Sequence, residues 1–257
     1  MRGGNLTHRK VVSFENIKIA CKDCSLATLC LPVGLDPDDV KRLDGIVKRG
    51  RPYHRGDHIF RENDHFQSLR VITSGSIKTY TPNQDGSEQV LGFHLPGELI
   101  GLDAIQHNYH TCSAVALETT ALCDIPFEQL ESLSSSIPSL QHQIYRLLSR
   151  EIGHETEMLT LLGKKSAEER LATFLLSFSD RFKKRGFSAS DFFLSMSRHE
   201  IGNYLGLAVE TVSRLFTRFQ EEGLLHVERK HVQLMDIPRL YELVHGNNQE
   251  RTKQNRL

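Results

Sequence analysis

The chain has 257 residues, 39% of them hydrophobic and 25% charged, and its 32 basic residues are balanced by 32 acidic ones. That length supplies one large domain or two ordinary ones with ample apolar material for a core, while a net charge of zero names no partner. No apolar run approaches the roughly 18 residues of a membrane span, and the opening MRGGNLTHRKVVSFENIKIA lacks the hydrophobic stretch and cleavage site of a signal peptide, so a cytoplasmic protein with no membrane partner is expected.

Residues 1–35 read as an irregular arm. Within it, ACKDCSLATLC places Cys21, Cys24 and Cys30 within ten positions of a chain that has only five cysteines. Cytoplasmic thiols stay reduced, and an odd number cannot all pair as disulfides, so a metal or redox role is favoured over structural bridges. Four thiolates suit a structural zinc ion or an iron–sulfur cluster, and a metal-free thiol–disulfide switch would use the same residues. The familiar zinc ribbons use two C-x2-C pairs, whereas this chain has one. A fourth thiol would come from Cys112 or Cys123, and because both lie in expected strands the pattern leaves the choice open.

Residues 36–137 are expected to form an antiparallel β-roll, or jelly roll. DHIFREN, LRVITSG, SIKTYTP, EQVLGFHL, CSAVALE and TALCDIPF are short runs with β-branched or aromatic content. Between them lie Ser74-Gly75, PNQDGS and PGE, which are turn chemistry. The pattern changes at Pro138. From there to residue 163 a single long helix is expected, with Leu148, Ile152, Glu155, Leu159 and Leu162 following a 4-3 heptad step. A seam this narrow, on a helix that joins two domains, reads as a coiled-coil dimerisation helix.

Residues 164–257 carry 16 Lys/Arg against 12 Asp/Glu, a mild basic bias that suits a nucleic-acid module. Ser166-Ala-Glu-Glu169 is a capping box opening an amphipathic helix, which KKRG closes. A second box, Ser197-Arg-His-Glu200, opens a helix over about 198–205. Gly206 permits a sharp turn, and a second helix follows over about 209–221 with Val212, Leu215, Phe216 and Phe219 facing inward. That register leaves Val209, Glu210, Ser213 and Arg214 exposed near the N-terminus of the second helix, where a recognition helix meets base edges in the major groove. Arg214 can donate to guanine and Glu210 can accept from cytosine, and Arg218 can neutralise a phosphate. LLHVERKHVQLMD alternates like a hairpin around Arg229-Lys230, which completes a winged helix-turn-helix. The expected class is thus α+β. The thirteen histidines are dispersed, and no H-E-x-x-H, G-x-S-x-G or phosphate-binding loop occurs, so no enzyme is expected.

SGSIKTY, PGELIG and above all IGNYLGLAVETVSRLFTRFQ give the chain a resemblance to the CRP/FNR superfamily of bacterial transcription regulators over nearly its full length. In the cyclic-nucleotide branch an Arg-Ser pair after the GELIG turn grips the cyclic phosphate. Here Cys112-Ser113 falls at that position, which argues against a cyclic-nucleotide site. The arm is similar to that of the FNR-type oxygen regulators, and the resemblance implies an oxygen-labile [4Fe–4S] cluster on Cys21, Cys24, Cys30 and Cys123, the last chosen because CDIPF matches the family's segment. It further implies TTGAT-like half-sites in palindromic double-stranded DNA, and a cluster-dependent monomer–dimer switch is expected, poised by the paired Glu155 carboxylates in the seam. RNA polymerase is the implied partner in activation or repression, with NQDGSE (83–88) as a contact loop. One departure is local: Ala208 stands where relatives often carry a threonine that would cap the recognition helix.

Overall fold

The computed structural model describes residues 20–83 and 86–245. The first nineteen residues of the expected arm, Gln84 and Asp85 in the expected contact loop, and residues 246–257 lie outside the described residues. Strands β1 (Lys48–Arg49), β2 (His58–Phe60), β3 (Ser68–Ser74), β4 (Ile77–Pro82), β5 (Glu88–His94), β6 (Leu99–Ile100), β7 (Ser113–Ala116) and β8 (Ala121–Pro126) build two four-stranded sheets. Their orders are β1-β8-β3-β6 and β2-β7-β4-β5, with antiparallel pairing throughout. The sheets enclose a core of Ile59, Phe60, Ile72, Ile77, Ile100, Cys112, Ala114, Ala116 and Leu122.

Alternation along a strand sends the neighbours of these residues to the opposite face. On the first sheet that outer face carries Leu69, Val71, Leu99 and Ile125, which pack with Leu31, Leu43, Leu130, Ile137, Leu140 and Leu147. Helices α1 (Pro37–Ile46), α2 (Phe127–Ser136) and α3 (Pro138–Lys164) therefore cover it. The expected β-roll contains no helix at residues 37–46 or 127–136, where the structure has two. The first of these nevertheless carries a clear start signal: Asp36 accepts from the backbone N–H groups of Asp38 and Asp39, with Pro37 in the first turn.

Helix α3 runs 27 residues, one past the expected end. Helix α4 (Ala167–Lys184) starts on the expected capping box, with Ser166 and Glu169 bonded reciprocally. Helices α5 (Arg198–Leu205) and α6 (Val209–Glu221) match their expected bounds. Gly206, at φ 62°, is the left-handed cap between them that a β-carbon would strain. Strands β10 (Leu225–Glu228) and β11 (His231–Leu234) form the expected wing hairpin. To it the structure adds β9 (Asp191–Phe193), paired to β11, and α7 (Ile237–His245), which packs on α4. The core of this C-terminal part includes Val90, Phe93, Leu95 and Leu117 from the sheets, so the β4–β5 hairpin packs directly against the helix-turn-helix.

Candidate thiol site and DNA-reading surface

Strand parity separates the two cysteines that the sequence left open. In β8, Leu122 points into the sandwich, so Cys123 points out. Its cross-strand partners are Arg49 in β1 and Val71 in β3. Cys112 is buried inside the sandwich, where burial and the neighbouring carboxylates of Asp103 and Glu62 raise its thiol. An anionic phosphate would meet two carboxylates there, in keeping with the absence of the family's phosphate-binding arginine.

The arm crosses the outer face. Cys21 opens a single 3-10 turn (Cys21–Asp23), and Cys30 packs with Cys123 against the apolar layer beneath α3. The structure brings all four expected ligands into one neighbourhood: Cys30 interacts electrostatically with Cys21, Cys24 and Cys123, and Cys24 also with Cys123. Burial pushes the Cys21 and Cys30 thiols up to about 12 and raises Cys123 as well. Without a metal these thiols therefore stay protonated, while a metal would take them as thiolates. Among the described residues no three His, Cys, Asp or Glu side chains converge on a single point as the ligands of one ion do. A cubane offers four separate iron corners, one per thiolate, so its ligands stand further apart than those of a zinc ion. The donor set fits such a group: four thiols from one arm and one strand, beside leucines.

Three connections lead away from this site, and none was visible in the sequence. Gln143, buried on α3, donates through Nε2 to the carbonyl of Cys30 at 3.2 Å. Leu26 and Leu29 press on Gly97, where an added β-carbon would lie 3.0 Å from Leu29 Cβ. The next residue, Glu98, is clamped by Arg181 (2.6 Å) and Arg185 (2.5 Å) of the α4 region. Burial alone would raise the Glu98 carboxyl, but the two guanidiniums outweigh it and hold it down at about 2. The same arginines donate to the carbonyls of Phe93 and Pro96. One turn of the β-roll is thus held by the cysteine arm on one side and by α4 on the other.

Along α3, Ile152 is 65% exposed and Leu159 73%, with Glu155 exposed between them. Tyr145, a heptad before Ile152 and 57% exposed, extends the stripe beyond the expected seam, which starts at Leu148. Leu148 is half-buried, and Leu162 turns inward to pack against the C-terminal core. Three uncovered large apolar side chains in one row are the feature a partner helix covers.

On α6, Val212, Leu215, Phe216 and Phe219 are buried, as their spacing required. Glu210, Ser213 and Arg214 are exposed and Val209 half-exposed. The Ser213 hydroxyl donates to the Val209 carbonyl (2.8 Å), and Arg214 to Thr211 (3.3 Å). Arg218, expected to be available for a phosphate, is instead paired with Glu168 and Glu222. Ala208 supplies no side-chain cap. Two arginines that the sequence reading missed hold the module together. Arg198 lies over the Phe216 ring, 3.2 Å from its centroid. Arg170 donates to the carbonyls of Leu162, Lys165 and Leu205, which joins the end of α3 to the end of α5.

Comparison with known proteins agrees with this architecture. Residues 50–136 match the cyclic nucleotide-binding domain, and residues 194–225 match the crp family of bacterial regulatory proteins. The transcriptional activator protein Anr of Pseudomonas aeruginosa is 54% identical over 226 residues, 88% of this chain and 93% of that protein. The fumarate and nitrate reduction regulatory protein of Escherichia coli is 47% identical over 225 residues, 88% of this chain and 90% of its own. The solved structure of FixK2 from Bradyrhizobium japonicum superposes with a TM-score of 0.71 at 29% identity, covering 77% of this chain and 97% of FixK2. The first two relatives are by name a transcriptional activator and a regulatory protein, and among the described residues no helix is long and apolar enough to cross a membrane. The chain belongs to the CRP/FNR family of transcription regulators, in its Anr/Fnr-like branch.

Proposed function

We propose that the protein is an oxygen-responsive transcription regulator in which Cys21, Cys24, Cys30 and Cys123 hold an oxygen-labile [4Fe–4S] cluster. In this reading the cluster-bearing homodimer binds palindromic TTGAT-like half-sites and, with RNA polymerase, activates or represses anaerobic genes. The observation that carries it is the gathering of those four thiols on the outer face of the first sheet while Cys112 lies inside the sandwich.

A bound cluster would supply a redox-active group that dioxygen destroys. The chain's own residues do the rest. Holding the arm down seats the Cys30 carbonyl under Gln143, and Gln143 belongs to the helix that carries the dimer stripe. Tyr145, Ile152 and Leu159 offer apolar area to a second copy. Glu155, in the same row, brings two like charges together across the dyad, which opposes association and leaves it poised. The dimer then sets two α6 helices at half-site spacing, and a monomer binds a palindrome poorly. Val209, Glu210, Ser213 and Arg214 face the bases. Arg218 reaches a phosphate by exchanging its carboxylate partners, a surface pairing of small net strength.

The test compares Cys123→Ser with Cys112→Ser after anaerobic purification. Loss of iron and sulfide from the first but not the second is expected, whereas the reverse would assign the fourth ligand to Cys112. Zinc, or no metal, in the unsubstituted protein would leave a DNA-binding regulator that takes its input from a zinc ion or a thiol–disulfide pair.

A further inference from the structure

The cysteine site has a charged neighbour that the ligand set does not explain. Arg49 lies directly across the β1–β8 ladder from Cys123, and its positive charge acts on the Cys123 thiol, opposing the rise that burial causes. Its Nη2 donates to Cys21 Sγ at 3.5 Å and to Asp44 Oδ1 at 2.6 Å. The same Asp44 oxygen accepts the backbone N–H of Cys21 at 2.9 Å. With its side chain only 18% exposed, the guanidinium is largely withdrawn from solvent. One aspartate therefore fixes both the start of the cysteine arm and the cation that faces two of its thiols, one from the arm and one from the sheet.

We infer that Arg49 is a positioning residue that tunes the site electronically: it donates an N–H bond to the Cys21 sulfur, stands across the ladder from Cys123, offsets the negative charge of the four thiolates, and raises the reduction potential of the group they hold. This inference rests on the cluster reading of the site. Four thiolates around an iron–sulfur core leave a net negative charge, and hydrogen bonds to sulfur together with local charge are what set such potentials. Arginine suits the task because it is never neutral and its Nη2 carries two N–H bonds in a fixed plane, here shared by Asp44 and Cys21, a geometry that a freely rotating lysine ammonium does not hold. Asp44 determines where the fork points. Removing Arg49 also strips Asp44 of its counter-charge beside the thiolates, so both consequences act in the same direction.

The experiment uses the full chain, loaded anaerobically, with Arg49→Met, Arg49→Lys and Asp44→Asn beside the unsubstituted protein. Iron and sulfide are assayed first, and the one-electron reduction of the cluster is then titrated with dithionite under potential control. Arg49→Met is expected to disfavour the reduced state at least tenfold, a shift of about 59 mV to lower potential, and to bleach faster in air. Arg49→Lys should fall between it and the unsubstituted protein. Asp44→Asn should shift the potential less, since the guanidinium remains. Thermal unfolding of the metal-free proteins separates arm docking from tuning, because a purely structural role lowers stability and leaves the potential of the loaded fraction unchanged. Equal potentials in iron-loaded proteins would overturn the inference while leaving the cluster reading intact. No iron in the unsubstituted protein would overturn both. Should Arg49→Met fail to hold iron, Arg49→Lys decides, and a potential equal to that of the unsubstituted protein counts against the inference.

Discussion

Helix α6 begins without a cap, and restoring one has a calculable effect. Ala208 precedes it in extended conformation (φ −62°, ψ 145°) and offers no acceptor to the backbone N–H groups of Glu210 and Thr211. The two helices before it are capped by serines: Ser166 Oγ accepts from Glu169 N at 3.3 Å, and Ser197 Oγ accepts from Glu200 N at 3.2 Å. Serine adopts the Ala208 backbone conformation without strain, so Ala208→Ser should recover about 1 kcal/mol. That is roughly a fivefold change in the opening equilibrium of the first turn, and about 2–4 °C in melting temperature for a chain of this size. Amide hydrogen exchange should slow about fivefold at Glu210 and Thr211 and stay unchanged in the middle of α3. Ser197→Ala serves as the mirror experiment and should cost about 1 kcal/mol. If Ser197→Ala has its expected effect while Ala208→Ser leaves exchange and melting unaltered, the missing hydroxyl is not what limits this helix.

Glu155→Ala removes the like-charge contact from the proposed dimer seam and should give a dimer that persists in air, measured by sizing; a response to air identical to that of the unsubstituted protein would remove Glu155 from the switch. Arg170→Met deletes three charge-assisted bonds to carbonyls at helix ends and should cost roughly 2–4 kcal/mol, whereas a loss below about 0.5 kcal/mol in denaturant titration would show that water replaces it. Glu98, held near 2 in the folded chain against its ordinary 4.5, contributes stability that is complete above about pH 4.5 and fades as the pH falls toward 2. Acid melting curves of Glu98→Gln should lose that dependence, and superimposable curves would refute the role of the clamp.

The C-terminal module was legible because its signals are local. Two capping boxes, a glycine at the turn and a 3.6-residue apolar period fix α5 and α6 within a single window of sequence. Strand β9 escaped because three residues carry no period, and β11 supplies its register. Helix α1 was legible in principle from Asp36-Pro37 but was subsumed in the expected β-roll. The choice between Cys112 and Cys123 was open because it depends on which face of a sheet each strand position takes, and pairing decides that rather than composition. Arg49, Gln143, Glu98 and Arg170 were invisible for a related reason: each acts on a partner that the fold brings near. Gln143 and Cys30, for example, lie 113 positions apart.

The most direct test is to purify the protein anaerobically, assay iron and sulfide per chain, and follow sizing and palindrome binding before and after air. About four irons and four sulfides per chain, with a DNA-binding dimer that falls apart in air, is the expected result. Zinc or no metal, with a dimer indifferent to air, would contradict the oxygen switch and leave only the DNA-binding regulator.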